Sequence, residues 1–318
     1  MSSFRKSLER RIGRIVEVRI GNTPAEGGSR EKAVIVGGET TMPYYDFESE
    51  NPRPPVLVPM VFDYPIKLPK PVKEAYGDLI KNPVEWAKYC VEKLKAEAVY
   101  VQLISPSIGV RSPSEAVRLV EELLQAVKVP LVIGGPGDPD KPLEDAEVLV
   151  KAAEVAHGEN CLLSYASLDQ YSTVAKAALQ HGHSLVAYTP TDLNLAKQLN
   201  ANLLDMGVPK DRIVIDPTSA ALGWGFEYTY TIFERIRLQA LQGDETLQMP
   251  LLCAACNAWT AKESCAENPV LGPVNVRGVL WEAVTAFNHI LAGADIVLML
   301  HPQSISLVKS LLGRLSGG

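Results

Sequence analysis

Several things are missing from this chain, and each absence removes a class of protein. No stretch approaches the roughly 18 consecutive apolar residues of a membrane span. Five cysteines in 318 residues, an odd number, do not make a disulfide framework and read as reduced thiols. Lysine and arginine are dispersed and the net charge is -6, so there is no electrostatic footprint for nucleic acid. The start, Met1-Ser2-Ser3-Phe4-Arg5-Lys6, leads into a charged, helix-like segment without the apolar region of a signal peptide, and a cytoplasmic address is the expectation. There is no internal repeat at the residue level and no low-complexity tract. What is present is a hydrophobic content of 47%, enough to bury a large core in one soluble domain.

That content is organised. Eight short runs of β-branched and apolar residues, each followed by one helix's worth of amphipathic sequence, fill the chain from about Val56 to Leu312. The runs are Val56 to Phe62, Ala98 to Ile104, Pro130 to Gly134, Cys161 to Ser164, Ser184 to Tyr188, Arg212 to Asp216, Pro250 to Ala255 and Asp295 to Leu300. Most are continuously apolar, as parallel strands buried on both faces are. Eight strand-to-helix units in roughly 250 residues predict a closed α/β barrel of the (β/α)8 TIM type. Helix signals support the alternation. Ser112-Pro113-Ser114-Glu115 is a capping box with proline at the first helical position, and Ala116, Val120, Leu123 and Val127 behind it share one face. Asn82-Pro83 opens a helix expected to turn Val84, Ala87, Val91 and Leu94 inward. Thr189-Pro190 and His301-Pro302 are read as two further helix starts, and Gly182 and Gly207 as stops.

Residues 1–55 stand outside the pattern and 56–318 form the barrel. Ile15 to Ile20 and Ala33 to Val36 read as an N-terminal hairpin capping the barrel floor. Behind it, Tyr44, Tyr45 and Phe47 follow a glycine-led loop; they either pack under the hairpin or form a partner surface.

In such barrels the chemistry sits on the loops leaving the C-terminal ends of the strands. Asp216-Pro217 ends the sixth strand, where a carboxylate accepts hydrogen bonds from a heterocycle or acts as a base; a capping aspartate beside a structural proline is the alternative. Its continuation, Thr218 to Gly225, is rich in small residues and admits a flat ligand. Asn257, after the seventh strand, offers donors and an acceptor, with loop stabilisation equally open. Gly134-Gly135-Pro136-Gly137-Asp138 reads as a tight turn giving access to a ligand rather than a phosphate cradle. Cys253, Cys256 and Cys265 do not complete a four-ligand set, so no metal ligand is assigned. His157, His181, His183 and His289 fall away from the active face, and His301 is read as a helix cap. No lysine lies in a strand's last residues, which argues against a Schiff-base aldolase.

Three long, compositionally unusual strings carry a resemblance. They are Val36-Gly37-Gly38-Glu39-Thr40-Thr41-Met42-Pro43, the run from Asp216 through Gly225 with the aromatics Phe226 to Tyr230, and Cys256-Asn257-Ala258-Trp259. Over nearly its whole length the chain resembles the small subunit of the corrinoid iron–sulfur protein, the delta subunit of the acetyl-CoA decarbonylase/synthase complex. The resemblance implies a barrel paired with a large subunit that carries an iron–sulfur cluster and a corrinoid-binding domain, with the shared cobamide lying over the C-terminal mouth of this barrel. It further implies a cobalt-borne methyl group passing from methyltetrahydrofolate or an archaeal pterin analogue, supplied by a methyltransferase, to the nickel centre of acetyl-CoA synthase. The cobalt-ligand string Asp-x-His-x-x-Gly is absent here. The barrel also looks related to pterin-binding methyltransferases, but only Asp216 and Asn257 match their chemistry; small strand-end residues are expected to leave room for a corrin ring. The cofactor-facing residues expected are Ser105, Gly134, Gly135, Ser164, Tyr188, Thr189, Asp216 and Asn257, with no catalytic residue assigned. An accessory methyl-carrier subunit is thus the first reading, a pterin-dependent methyltransferase the second and a phosphate-binding lyase the third.

Overall fold

The computed structural model describes residues 8–9, 11–49, 51–138 and 140–316; the opening segment Met1 to Lys6 lies outside them. Two short antiparallel strands, β1 (Val18–Ile20) and β2 (Val34–Val36), pair Val18 with Val36 and Ile20 with Val34. The eight that follow are β3 (Val56–Phe62), β4 (Val99–Gln102), β5 (Leu131–Gly134), β6 (Leu162–Ala166), β7 (Ser184–Tyr188), β8 (Ile213–Asp216), β9 (Leu251–Ala254) and β10 (Ala294–Met299). They close into a parallel barrel in chain order, β10 pairing with both β3 and β9. Continuous apolar runs make this possible because helices cover the outer face while side chains fill the inside: Leu131, Val132 and Ile133 are all fully buried.

Local signals place most helices as read. Ser112 and Glu115 form the expected reciprocal cap, the Ser112 amide donating to Glu115 Oε2 at 2.8 Å. Ala116, Val120, Leu123 and Val127 are buried, although the helix is interrupted at Val117. Gly182 ends its helix in the left-handed conformation, at φ 79°. One expected helix face gains members, and one expected helix start is corrected. Along the helix Pro83–Glu92 and just beyond it, Ala87 is fully buried and Val84, Val91 and Leu94 pack against the core as expected, with Trp86 and Cys90 fully buried beside them. The helix Leu193–Asp205 is capped by Asp192, whose carboxylate accepts the Asn194 and Leu195 amides, and Thr189 remains in the preceding loop.

The hairpin lies against the floor, the end where strands begin. Arg30, fully buried, donates to the carbonyls of Leu124, Val127 and Val129 ahead of β5 and pairs with Glu159 ahead of β6 at 3.0 Å. Asn160 returns an amide hydrogen bond to the Arg19 carbonyl at 2.9 Å. Of the three aromatics that follow, Tyr44 packs against the core, while Tyr45 and Phe47 are exposed with ring centroids 5.1 Å apart. Among the described residues no helix is long and apolar enough to cross a membrane.

Candidate functional site at the barrel mouth

Strand register sets the heights of the strand-end residues. Gln102 pairs with Gly134 and Gly134 with Ser164, so the ends of β4, β5 and β6 present one row at the mouth. Tyr188 pairs with Asp216 at the ends of β7 and β8. The Tyr188 ring lies 4.5 Å from that of Tyr165. Thr189 is fully buried next to them, its amide donating to the Asp216 carbonyl at 2.9 Å. Asp216 accepts the Thr218 amide on Oδ1 at 2.9 Å, and burial pushes its carboxyl up to about 7.

Other expected site residues have different engagements. Ser105 is fully buried and donates its hydroxyl to Asp63, the residue after β3. Asn257 donates its side-chain amide to the Ser219 carbonyl at 2.9 Å, bridging the loops after β8 and β9, which is the loop-stabilising contact. Gly134 and Gly135 do not leave room for a ring. A side chain at Gly134 would run into the Tyr100 hydroxyl, and one at Gly135 into the Asp145 carboxylate. These glycines are small because protein atoms already occupy the space beside them.

Four mouth residues escaped the strand-end reading. Asp63 holds the Ile104 amide at 2.8 Å, and burial raises its carboxyl. Gln102 donates to the Gly135 carbonyl at 2.7 Å and shapes the β5 turn. Glu282, fully buried on the helix Val274–Ala292, accepts the Leu300 and His301 amides after β10. Asp145 comes from the first turn of the helix Pro142–Val155, takes the Gly137 amide on Oδ1 at 2.7 Å, and is pushed up to about 6 by burial. An acid in a helix's first turn usually signals the helix dipole alone, which is why its burial was not legible in the sequence.

The mouth is polar but poor in metal-ligating character. Among the described residues no group of three or more His, Cys, Asp or Glu is arranged to hold an ion. Cys253 and Cys256 line the end of β9, and burial drives both thiols upward, away from the thiolate a metal prefers. His301 stacks on Trp259 at 5.6 Å, accepts the Gln303 amide on Nδ1 at 3.2 Å, and is kept neutral by burial, which lowers it to about 4. Its cap role is therefore met. Backbone strain occurs at the mouth as well as elsewhere: Thr191 and Thr218, after β7 and β8, have φ of 49° and 71°, a region a β-branched residue seldom enters.

A cavity of about 580 Å³ opens at the floor, between the segment carrying Glu39 and Tyr44 and the ends of the last two helices. Its charged lining includes Asp46, Arg53 and a buried trio in which Arg237 pairs with Glu39 at 3.1 Å and Asp295 at 2.6 Å. Buried polar atoms without partners occur at both ends: Asn51 Oδ1 and Arg237 Nε beside the floor cavity, and Asp145 Oδ2, Thr189 Oγ1 and Thr218 Oγ1 at the mouth.

The chain matches the family model described as the CO dehydrogenase/acetyl-CoA synthase delta subunit over residues 17–311. It is 46% identical over 313 residues to acetyl-CoA decarbonylase/synthase complex subunit delta 1 of Methanosarcina thermophila, covering 95% of this chain and 71% of the relative. Subunit delta of the same complex from Methanopyrus kandleri is 43% identical, with 96% and 76% covered. In fold, the chain is similar to a Yersinia pestis dihydropteroate synthase solved with a pterine-sulfa conjugate, at TM-score 0.55 and 14% identity, covering 88% of this chain and 96% of that one. Dihydropteroate synthase of Thermus thermophilus gives TM-score 0.54 at 14% identity, with 91% and 97% covered. At such identity the likeness is one of TIM-barrel architecture.

Proposed function

Because this chain belongs to the CO dehydrogenase/acetyl-CoA synthase delta subunit family, we propose that it is the barrel subunit of a corrinoid methyl carrier. In this reading it pairs with a large subunit bearing an iron–sulfur cluster and a corrinoid domain, and its mouth covers the cobamide the two share. Bound there, the cobamide supplies the atom on which a methyl group is carried. This chain's residues exclude water, orient the ring and present surfaces to a methyltetrahydrofolate methyltransferase and to acetyl-CoA synthase. Ser164, Tyr188, Thr189 and Asp216 are the proposed contacts at the mouth, with Ser105, Gly134, Gly135 and Asn257 supporting the wall behind them.

The observation that carries this reading is the chemistry of the mouth. Buried hydroxyl and carboxyl atoms stand there without partners, whereas no group stands ready to ligate a metal among the described residues. Such a set fits the polar periphery of a large cofactor and leaves its metal to another subunit. The wall is also dry, since Cys253, Ala255 and Trp259 are buried around it.

The test is methylation of the reconstituted heterodimer by methyltetrahydrofolate, with and without the separate methyltransferase, for the parent chain and Asp216→Asn. A carrier subunit needs the separate enzyme, and the substitution changes the methylation rate of the loaded carrier by less than about threefold. A heterodimer that accepts methyl groups unaided and loses this with Asp216→Asn is a pterin-dependent methyltransferase, and the carrier reading is then wrong.

A further inference from the structure

This inference rests on the mouth being the ligand-facing end and narrows what the mouth recognises. Asp145 is 2% exposed; one carboxylate oxygen takes the Gly137 amide and the other takes nothing. Its charge bears on the Tyr100 and Tyr165 hydroxyls, as does that of Asp216, so both carboxyls border the same upper end of the barrel. Thr189 and Thr218 each donate a backbone amide to Asp216, and each has a side-chain hydroxyl buried without a partner. A buried polar atom left unpaired costs about 1–3 kcal/mol. Other such atoms in the described residues lie on Arg19, Asn51 and Arg237 toward the floor, on Trp86, Asn200 and Thr285 in the helical ring, and on Gln170 and Trp259. At the mouth, a carboxylate oxygen of Asp145 and the hydroxyls of Thr189 and Thr218 all lack partners, and the loops that carry the two hydroxyls bend through positive φ at Thr191 and Thr218.

The complement of that set has a definite chemistry. An orphan carboxylate oxygen calls for an N–H, and an orphan hydroxyl calls for an acceptor. An ammonium or guanidinium would satisfy the carboxyls and leave both hydroxyls unmatched. A phosphate would meet the hydroxyls and be repelled by Asp145 and Asp216. A neutral amide edge, N–H beside C=O, satisfies both kinds of atom. We propose that Asp145, with the hydroxyls of Thr189 and Thr218, recognises an amide edge of the ligand at this mouth. Asp145 is then a positioning residue for the ligand rather than a helix-end acid. Two sources share the chemistry: the side-chain carboxamides of a corrin ring and the amino-oxo edge of a pterin.

Equilibrium dialysis of the heterodimer separates them, using hydroxocobalamin, the same corrinoid with its side-chain amides hydrolysed to carboxylates, and tetrahydrofolate. The proposal expects Asp145→Asn and Thr189→Val each to weaken one amide-bearing probe by roughly five- to tenfold. If that probe is hydroxocobalamin, the hydrolysed corrinoid binds the parent about tenfold less tightly and is little affected by either substitution. If it is tetrahydrofolate, the edge belongs to a pterin. Thr189→Val, close to isosteric, decides the matter should Asp145→Asn fail to give the parent's circular dichroism. A parent heterodimer that binds a probe to which both folded variants bind within twofold overturns the amide-edge inference and leaves the carrier reading intact. A parent that binds no probe overturns both.

Discussion

Asp63 and Ser105 latch the exits of the first two barrel strands together: the Ser105 hydroxyl donates to Asp63 Oδ2, and the Ile104 and Ser105 amides donate to Oδ1 at 2.8 and 3.1 Å. Arg111 adds a hydrogen bond to the Asp63 carbonyl at 3.0 Å. A buried carboxyl with three protein donors is an internal strut, and Ser105 works within it before it can touch any ligand.

Asp63→Ala therefore leaves two buried amides and a hydroxyl without an acceptor and should destabilise the protein by about 2–4 kcal/mol, against about 1–2 kcal/mol for Ser105→Ala. Urea unfolding of both variants measures this. A Ser105→Ala protein of unchanged stability that retains cobamide poorly would return Ser105 to the ligand-facing set.

At the opposite end, Arg237 links the glycine-led string near the N-terminus to the start of β10. It is 1% exposed and donates to Glu39 and Asp295, while Asp295 also accepts the Leu251 amide at 2.6 Å. Arg237→Met strands two buried carboxyls and should cost about 3–5 kcal/mol. Adding Glu39→Gln and Asp295→Asn should recover at least half of that loss, because the stranded charges rather than the missing bonds dominate it. Thermal unfolding of the single and triple variants reads this out, and a single variant within 1 kcal/mol of the parent, an order-of-magnitude limit, would sink the argument.

How much of this was legible depends on where each residue sits. Strands such as Leu131–Gly134 are continuous apolar runs because both of their faces are covered, so the barrel was readable throughout. Asp216 was readable because it ends such a run. Asp145 was not, since nothing in Pro142-Leu143-Glu144-Asp145 distinguishes a buried acid from its exposed neighbour Glu144. Gly134 and Gly135 were readable as points of close approach, but sequence cannot say what approaches. The answer is the Tyr100 hydroxyl and the Asp145 carboxylate. The inward face of Pro83–Glu92 was readable in Val84, Ala87 and Val91, but valines and aromatics there cover more than one stripe, so that Trp86 and Cys90 are buried too was not.

Asp216 also makes stability depend on pH in a direction opposite to that of a salt-bridged aspartate. Burial holds its folded-state carboxyl at about 7, against the usual 3.8 of an unfolded chain. Below about pH 4 both states are protonated and the group is neutral in its effect. Between there and about 7 the folded protein binds more protons than the unfolded one, so the contribution to stability falls as pH rises, and it levels off above 7. Asn keeps an oxygen for the Thr218 amide and cannot ionise. Asp216→Asn should thus be close to neutral near pH 4 and more stable than the parent by on the order of 2 kcal/mol at pH 7.5. Asp145, raised in the same direction to about 6, is common to both proteins and cancels in the comparison. Urea midpoints for the pair at pH 4, 5.5 and 7.5 measure the difference. A carboxyl retained against its own stability is retained for a ligand's sake. A stability difference that stays constant across those three conditions would mean that Asp216 is ionised and well solvated, and the mouth would lose its claim to a buried acid.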